Sequence, residues 1–295
     1  MQPRAQKDKF IAYVDILGYT NMKESAEAGI GMSLPELASL RDLLCPSSDR
    51  NQFTIDGPTL CPRSQYIFRD LDFQISHEED NDCSLFSCEI SPAGAINLLG
   101  HCSRLALRLL KRGVLCRGYV TRDLIHHTSA TYEGPGLETV LAMEKKVAAF
   151  SRDADDRGTP FIEIDSSICE YVSHCGDRCV TEMFSKLAKG DGRTFALLPF
   201  ERLSSLFNLL PLDRHLDIGK ARQSITDTRP LIITLKERVK ALVDVSNKKA
   251  VRKSEHYLMA LDDLLEKCDQ ADMMLDELNT PFPSGNLADL LPFNS

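Results

Sequence analysis

The stretch "FIAYVDILGYT", residues 10–20, sets the frame for the whole chain. Phe10 to Val14 is a short apolar run of the kind that makes a buried strand. It ends in Asp15, and a carboxylate at the end of a buried strand has to be hydrogen-bonded, paired or metal-bound, because burying it bare is too costly. Gly18 follows three residues later, where it lets the backbone turn tightly with N–H groups free to face an anion. One strand thus carries an acid and an anion-accepting turn side by side.

The elements that follow give this strand its neighbours. A helical region runs to Leu44, and the polar, Pro-containing stretch 45–64 reads as a loop or insertion. "QYIFRDLDFQIS" (65–76) and "CSLFSCEIS" (83–91) flank the turn-forming "HEEDND" (77–82), which makes a hairpin. From Ala93 to Arg112, Ile96, Leu99, Leu105, Leu109 and Leu110 recur at helical spacing, and Gly113 stops the helix. A strand at 114–121, a turn at 132–136, a helix at 137–150 and a strand at 160–165 complete the pattern. The order β-α-β-β-α-β-α-β predicts an α+β fold whose first six elements form a ferredoxin-like unit. From about Asp217 the texture becomes charged and helix-periodic, with Pro230 as the one early breaker. Two domains are therefore expected, 8–216 and a helical extension with a tail at 217–295, the latter made of two or three helices packed on the first domain or on a partner subunit.

Composition narrows the function classes. The 295 residues are 43% hydrophobic and 26% charged, enough for a real core. No run approaches the 18 apolar residues of a membrane span, and "MQPRAQKDKF" has no apolar signal core, so a cytoplasmic protein is expected. The net charge of −8, with a basic run only at Lys248 to Lys253, argues against a nucleic-acid face. An acidic protein that handles an anionic nucleotide needs a metal or local cations. The ten cysteines sit in a chain that is neither short nor visibly secreted, and are read as reduced thiols. Cys169, His174, Cys175 and Cys179 lack the paired spacing of a zinc site.

In a ferredoxin-like sheet the first strand lies beside the next two, so the acidic hairpin tip comes near Asp15. A carboxylate there and Asp15 can jointly hold divalent metal; the plainer reading is a solvated turn. With these residues in this order, the chain resembles the class III nucleotidyl cyclases. Within that superfamily it is similar to the pyrimidine cyclases of bacterial Pycsar anti-phage systems. The resemblance runs through "FIAYVDILGYT", "NDCSLFSCEIS", "GVLCRGYVT", "YEGPGLETVLAMEKKVA" and "FIEID", in order, over roughly residues 8–200.

What the resemblance implies is specific. Asp15 and the backbone carbonyl of Ile16 would bind metal with Asp82, for which Asp70 and Asp80 are alternatives. Two Mn²⁺ or Mg²⁺ ions would serve each site. The backbone of Leu17, Gly18, Tyr19 and Thr20 would cradle the triphosphate. Purine cyclases carry an Asn and a transition-state Arg where this chain has Glu138 and Ala142, and their base-reading residue falls on Thr131. A purine is thereby disfavoured. Arg117, in the "RGY" strand, becomes the candidate for stabilising phosphate charge, with an ion pair as its plain alternative and Arg122 and Arg69 next in line. Glu138 and Glu144 read equally well as capping or solvated residues. Tyr66, Phe68 and Phe73 would wall the base pocket or simply fill the core. The implied reaction converts UTP to cyclic UMP, or CTP to cyclic CMP, with loss of pyrophosphate. The implied enzyme is a head-to-tail homodimer with shared sites, whose product activates a separate effector. The competing classes are a non-catalytic cyclase-like nucleotide binder, a purine cyclase with an atypical site, and a diguanylate-cyclase or polymerase palm, against which "HEEDND" speaks.

Overall fold

The computed structural model describes residues 5–44, 72–74, 82–128, 131–151, 156–198 and 218–279. Its first strand, β1 (Lys7–Ile16), runs into α1 (Tyr19–Glu27) and α2 (Leu34–Leu44). Then come β2 (Asp72–Gln74), β3 (Cys83–Glu89), α3 (Pro92–Leu110) and β4 (Cys116–His127). These four strands lie in the order β2-β3-β1-β4 with every neighbour antiparallel. That is the ferredoxin-like arrangement expected from the sequence, reached by two helical crossovers on one face.

The sheet then grows past β4. The short β5 (Tyr132–Glu133) folds back on the end of β4, and α4 (Pro135–Glu144) carries the chain to β6 (Ile162–Ile164), parallel to β4. Helices α5 (Ser166–His174) and α6 (Arg178–Leu187) lead to β7 (Ala188–Gly190) and β8 (Phe195–Leu197), which close the sheet beyond β6. Two long helices follow, α7 (Ile218–Leu242) and α8 (Lys248–Asn279). Pro230 sits inside α7 without ending it.

Three local expectations are corrected. The strand expected at 114–121 continues to His127, because β1 pairs with it along its whole length, from Lys7 opposite Ile125 to Ile16 opposite Cys116. The helix expected at 137–150 stops at Glu144, and the chain beyond it turns through Phe150, whose φ is +55°. The "YEGPG" turn contains the two residues of β5. Elements α5, α6, β7 and β8 had no place in the predicted order. The expected loop at 45–64 lies outside the described residues, as do most of the hairpin's first strand and its tip.

Alternation along β1 creates two cores. Phe10, Ala12, Val14 and Ile16 point to one face, where they meet residues such as Phe86, Leu98, Leu99, Cys102 and Ile168 under α1, α2, α3, α5 and α6. Ile11 and Tyr13 point to the other, with Leu85, Tyr119 and Ile125. That second face is covered by α4 and by the α7–α8 pair, through Val140, Ile232, Leu235, Tyr257, Leu261 and Leu264. The helical C-terminal segment therefore packs on the sheet of its own chain.

Candidate active site

Asp15 follows Ile11 and Tyr13 onto the second face. It sits opposite Cys83 on β3 and opposite Arg117 on β4. The next residue fixes the hairpin: the Ile16 N–H donates to the Asp82 carbonyl at 2.9 Å, and the Leu17 N–H to the Leu115 carbonyl at 2.9 Å. Asp15, Ile16 and Asp82 are thus held at one end of three adjacent strands. Gly18 then turns the chain with φ +78°, a conformation that suits glycine, and α1 starts at Tyr19 with no side chain capping its N-terminus. The Tyr19 ring enters the core, whereas Thr20 is exposed. Backbone N–H groups at an uncapped helix start are natural anion donors.

The electrostatics of this corner are unusual. Burial pushes the Asp15 carboxyl up to about 7, and the negative charges of Asp82 and Glu144 push the same way; Arg117 and Lys253 oppose them. Asp82 is also raised, by burial first and by Glu144, against a backbone hydrogen bond that lowers it. Glu144, the last residue of α4, is only 2% exposed and forms an ion pair with Arg117, whose Nε donates to its Oε1. The Arg117 guanidinium also lies 3.7 Å from Asp15. Tyr13 and Cys83, hydrogen-bonded to each other beside Asp15, are both shifted upward by burial and so line the corner as neutral groups. Three carboxylates thus face two cations, the second being Lys253 from α8.

The backbone of Gly158 passes close behind these cations. Its φ is +68°, and a Cβ added there would lie 2.7 Å from Arg117 Nη1 and 3.5 Å from Lys253 Nζ. Glu144 and Lys253 are the site residues that sequence reasoning underrated or missed. Glu144 fell on a helix where a solvated carboxylate was an equal reading. Lys253 belongs to a basic run that looked like a surface feature, far along the chain from Asp15.

The other candidates fall elsewhere. Thr131 lies past the end of β4, with its carbonyl accepting from the Thr128 N–H. The length of β4, at about 3.3 Å per residue, puts it roughly 35 Å from Arg117. Phe73 pairs with Phe86 across β2 and β3. Glu138 and Ala142 are exposed on α4. Arg122 sits opposite Phe10, well up β4 from the Asp15 corner, and its guanidinium pairs with Asp8 at 2.7 Å. That pair borders an open groove of about 830 Å³, lined also by Tyr171, His174 and Cys175, at the opposite end of β1 from Asp15. Asp70, Asp80, Arg69, Tyr66 and Phe68 lie outside the described residues. Cys169 and Cys175 are free thiols, and Cys175 Sγ donates to the Val172 carbonyl.

The donor set fits a hard divalent cation. Asp15 and Asp82 repel one another in a half-buried corner, and a bound cation relieves that repulsion. Among the described residues no three His, Cys, Asp or Glu side chains form a closed cage. A Mg²⁺ or Mn²⁺ site does not require one, since such ions are commonly held by one or two carboxylates, waters and substrate phosphates.

No family model matches the chain, and no curated protein matches it in sequence. Its solved structural neighbours include the guanylyl cyclase Cya2, at 11% identity and a TM-score of 0.35, covering 65% of this chain and 91% of that one. A second is a double mutant of the guanylyl cyclase domain of the RhoGC fusion protein from the aquatic fungus Blastocladiella emersonii. It is 12% identical, with a TM-score of 0.34 and coverage of 65% and 95%. A third is the catalytic core of a rhodopsin-guanylyl cyclase with converted specificity, at 10% identity and a TM-score of 0.32, covering 65% of this chain and 95% of that one.

Proposed function

We propose that this protein is a metal-dependent nucleotide cyclase whose substrate is a pyrimidine nucleoside triphosphate, UTP before CTP. The observation that carries the reading is the convergence of Asp15, Ile16 and Asp82 beside the uncapped start of α1. Two carboxylates and a run of backbone donors are what a triphosphate and its counter-ions need. In the reaction the ribose 3′-oxygen forms a bond to the α-phosphorus, the bond from that phosphorus to the bridging oxygen breaks, pyrophosphate leaves, and the hydroxyl proton passes to water. Asp15, Asp82 and the Ile16 carbonyl would hold Mg²⁺ or Mn²⁺, which supplies charge neutralisation and a more acidic hydroxyl.

The chain's own groups do the rest. Residues Gly18 to Thr20 bind the phosphates through their backbone N–H groups, since the expected Leu17 donor is spent on the Leu115 carbonyl. Arg117, fixed by Glu144, keeps further guanidinium donors for the phosphate charge that grows during transfer. Positioning contributes heavily, because nucleophile and electrophile belong to one molecule. A pyrimidine is favoured because Glu138 and Ala142 stand where purine cyclases carry their Asn and Arg.

The reading includes a head-to-tail homodimer, supported by the separation of Thr131 from Arg117 along β4: base contacts at Thr131 can reach this corner only from a second copy. It also includes a second-messenger role in anti-phage defence, with a separate effector responding to the cyclic product. Among the described residues no helix is long and apolar enough to cross a membrane.

Incubation of the protein with each of the four ribonucleoside triphosphates and Mn²⁺, with mass spectrometry of the products, tests the reaction. Cyclic UMP or cyclic CMP is expected, and Asp15→Asn and Asp82→Asn should each abolish it while the fold persists by circular dichroism. Absence of any cyclic product, or normal turnover in Asp15→Asn, refutes the assignment. The same active preparation should sediment as a dimer; an active monomer removes the shared site.

A further inference from the structure

We infer, resting on that reading, that Lys253 on the C-terminal helix α8 is the second phosphate-binding cation of the Asp15 site, holding the β- and γ-phosphates that leave as pyrophosphate. The C-terminal helices would then be part of the active site and not an appendage beside it.

The placement of Lys253 is built. His256 and Tyr257 follow it by three and four residues and so share its side of α8. Tyr257 stacks on Phe161 with ring centroids 5.0 Å apart and planes 12° from parallel. His256 Nε2 lies 2.8 Å from Asp156, and Arg252 Nε lies 3.4 Å from the same carboxylate. Asn247 receives the Lys249 and Ala250 N–H groups, each at 3.1 Å, and so fixes the start of the helix. These contacts dock the first turns of α8 on the loop at 156–159, which runs behind Arg117. Gly158 marks the spot, because its missing Cβ leaves Arg117 and Lys253 close to one another.

The arrangement costs energy unless an anion is present. Lys253 is half-buried and set near Arg117 and Lys249, and its amine is pushed down to about 8 by burial first and by those two charges next. Among the described residues it closes no ion pair within 4 Å, although Glu144 and Asp15 act on it from further away. Arg117 gives its Nε and Nη2 to Glu144, which leaves Nη1 as its donor for phosphate. A triphosphate brings several negative charges to Arg117 and Lys253, and a compact ammonium with three donors suits phosphate oxygens.

The test uses the full chain with Mn²⁺ and two probes, tripolyphosphate for binding by calorimetry and UTP or CTP for turnover. Lys253→Gln should weaken tripolyphosphate at least tenfold, raise KM, and raise by a similar factor the pyrophosphate concentration that inhibits. Lys253→Arg should recover most of each effect, and both variants should melt near the wild-type temperature. If the wild type cyclises a nucleotide and Lys253→Gln leaves KM, kcat and pyrophosphate inhibition unchanged, the inference fails while the cyclase reading stands. If the wild type makes no cyclic product yet binds tripolyphosphate in a Lys253-dependent way, the anion site stands and the reaction does not. A wild type that binds no tripolyphosphate overturns the inference outright.

Discussion

The two faces of one sheet are built on opposite principles. Under α1, α2, α3, α5 and α6, β1 contributes Phe10, Ala12, Val14 and Ile16 to a core of hydrocarbon and sulfur. Its buried polar groups, such as Ser84, Asn97, His101 and Ser103, include no carboxylate, lysine or arginine among the described residues. Under α4, α7 and α8 the same strand contributes Ile11 and Tyr13, and then Asp15, which enters a knot of Arg117, Glu144 and Lys253. A face stabilised only by apolar burial has no reason to bring like charges together. Retaining three carboxylates and two cations at the edge of the second core is costly for folding, and function is the reason that makes physical sense of it. The first face therefore holds the fold, and the second spends stability on a site.

Matched truncations on the two faces give the sharpest contrast. Tyr257→Ala removes the ring that stacks on Phe161 and should cost about 3–5 kcal/mol, as buried aromatic deletions do. Leu99→Ala, in the first core, should cost about 2–5 kcal/mol. The difference lies in what the surviving folded protein does. Tyr257→Ala frees the turn of α8 that carries Lys253, so turnover per folded molecule should drop at least tenfold. Leu99→Ala should leave it within about twofold. Denaturant unfolding supplies the stabilities and nucleotide turnover the rates. Equal loss of rate in the two variants breaks the division of labour.

A smaller effect tests the corner itself. Gly158→Ala asks an L-residue to adopt φ +68° and places a methyl 2.7 Å from Arg117 Nη1. The backbone strain alone is worth about 1–3 kcal/mol. A flexible side chain normally yields to such a contact, but Arg117 is tied to Glu144 and cannot yield without loosening that pair. Turnover should therefore fall with stability, and a variant that loses stability but keeps full rate shows that Arg117 need not stay where Gly158 and Glu144 put it.

Much of the first face was legible in the sequence and much of the second was not. The strand 9–15, the hairpin's second strand and the helix after Pro92 announce themselves by local pattern: an apolar run, a turn and a 3.6-residue period. The acid at the end of β1 and the anion-accepting turn after it share eleven residues, so their chemistry could be read together. Short strands such as β7 and β8 are three residues each, too brief for any period to register. The end of α4 depends on Glu144 turning inward to Arg117, a contact that no local window contains. Lys253 is the extreme case. Its run of Lys248, Lys249, Arg252 and Lys253 looks like a solvated helix start, and only the docking of Tyr257 and His256 converts one member into a half-buried cation.

The smallest effect concerns the first face, which carries an ionisable group of the opposite kind. His101 on α3 packs edge-on against Phe86, with ring centroids 4.6 Å apart. Burial first, then Arg104 and Arg108 on the same helix, depress its pKa to about 3. An unfolded chain protonates a histidine near pH 6.5, whereas the folded protein resists until pH falls to about 3. Between these limits the unfolded state binds one more proton, so stability is complete above pH 6.5 and is lost as pH falls, by about 1.4 kcal/mol per unit. Carboxylates add their own slope in the same range, which a single titration does not separate. His101→Gln removes the imidazole and keeps a polar group of similar length, so the difference between the two stability profiles isolates the histidine. The wild type should lose about 1 kcal/mol more than the variant between pH 6.5 and 5.5, with the two running nearly parallel above pH 7. Profiles that stay parallel down to pH 5 would mean that His101 takes its proton without unfolding the first core. The contrast between an apolar face that excludes charge and a second face that collects it would then need another basis.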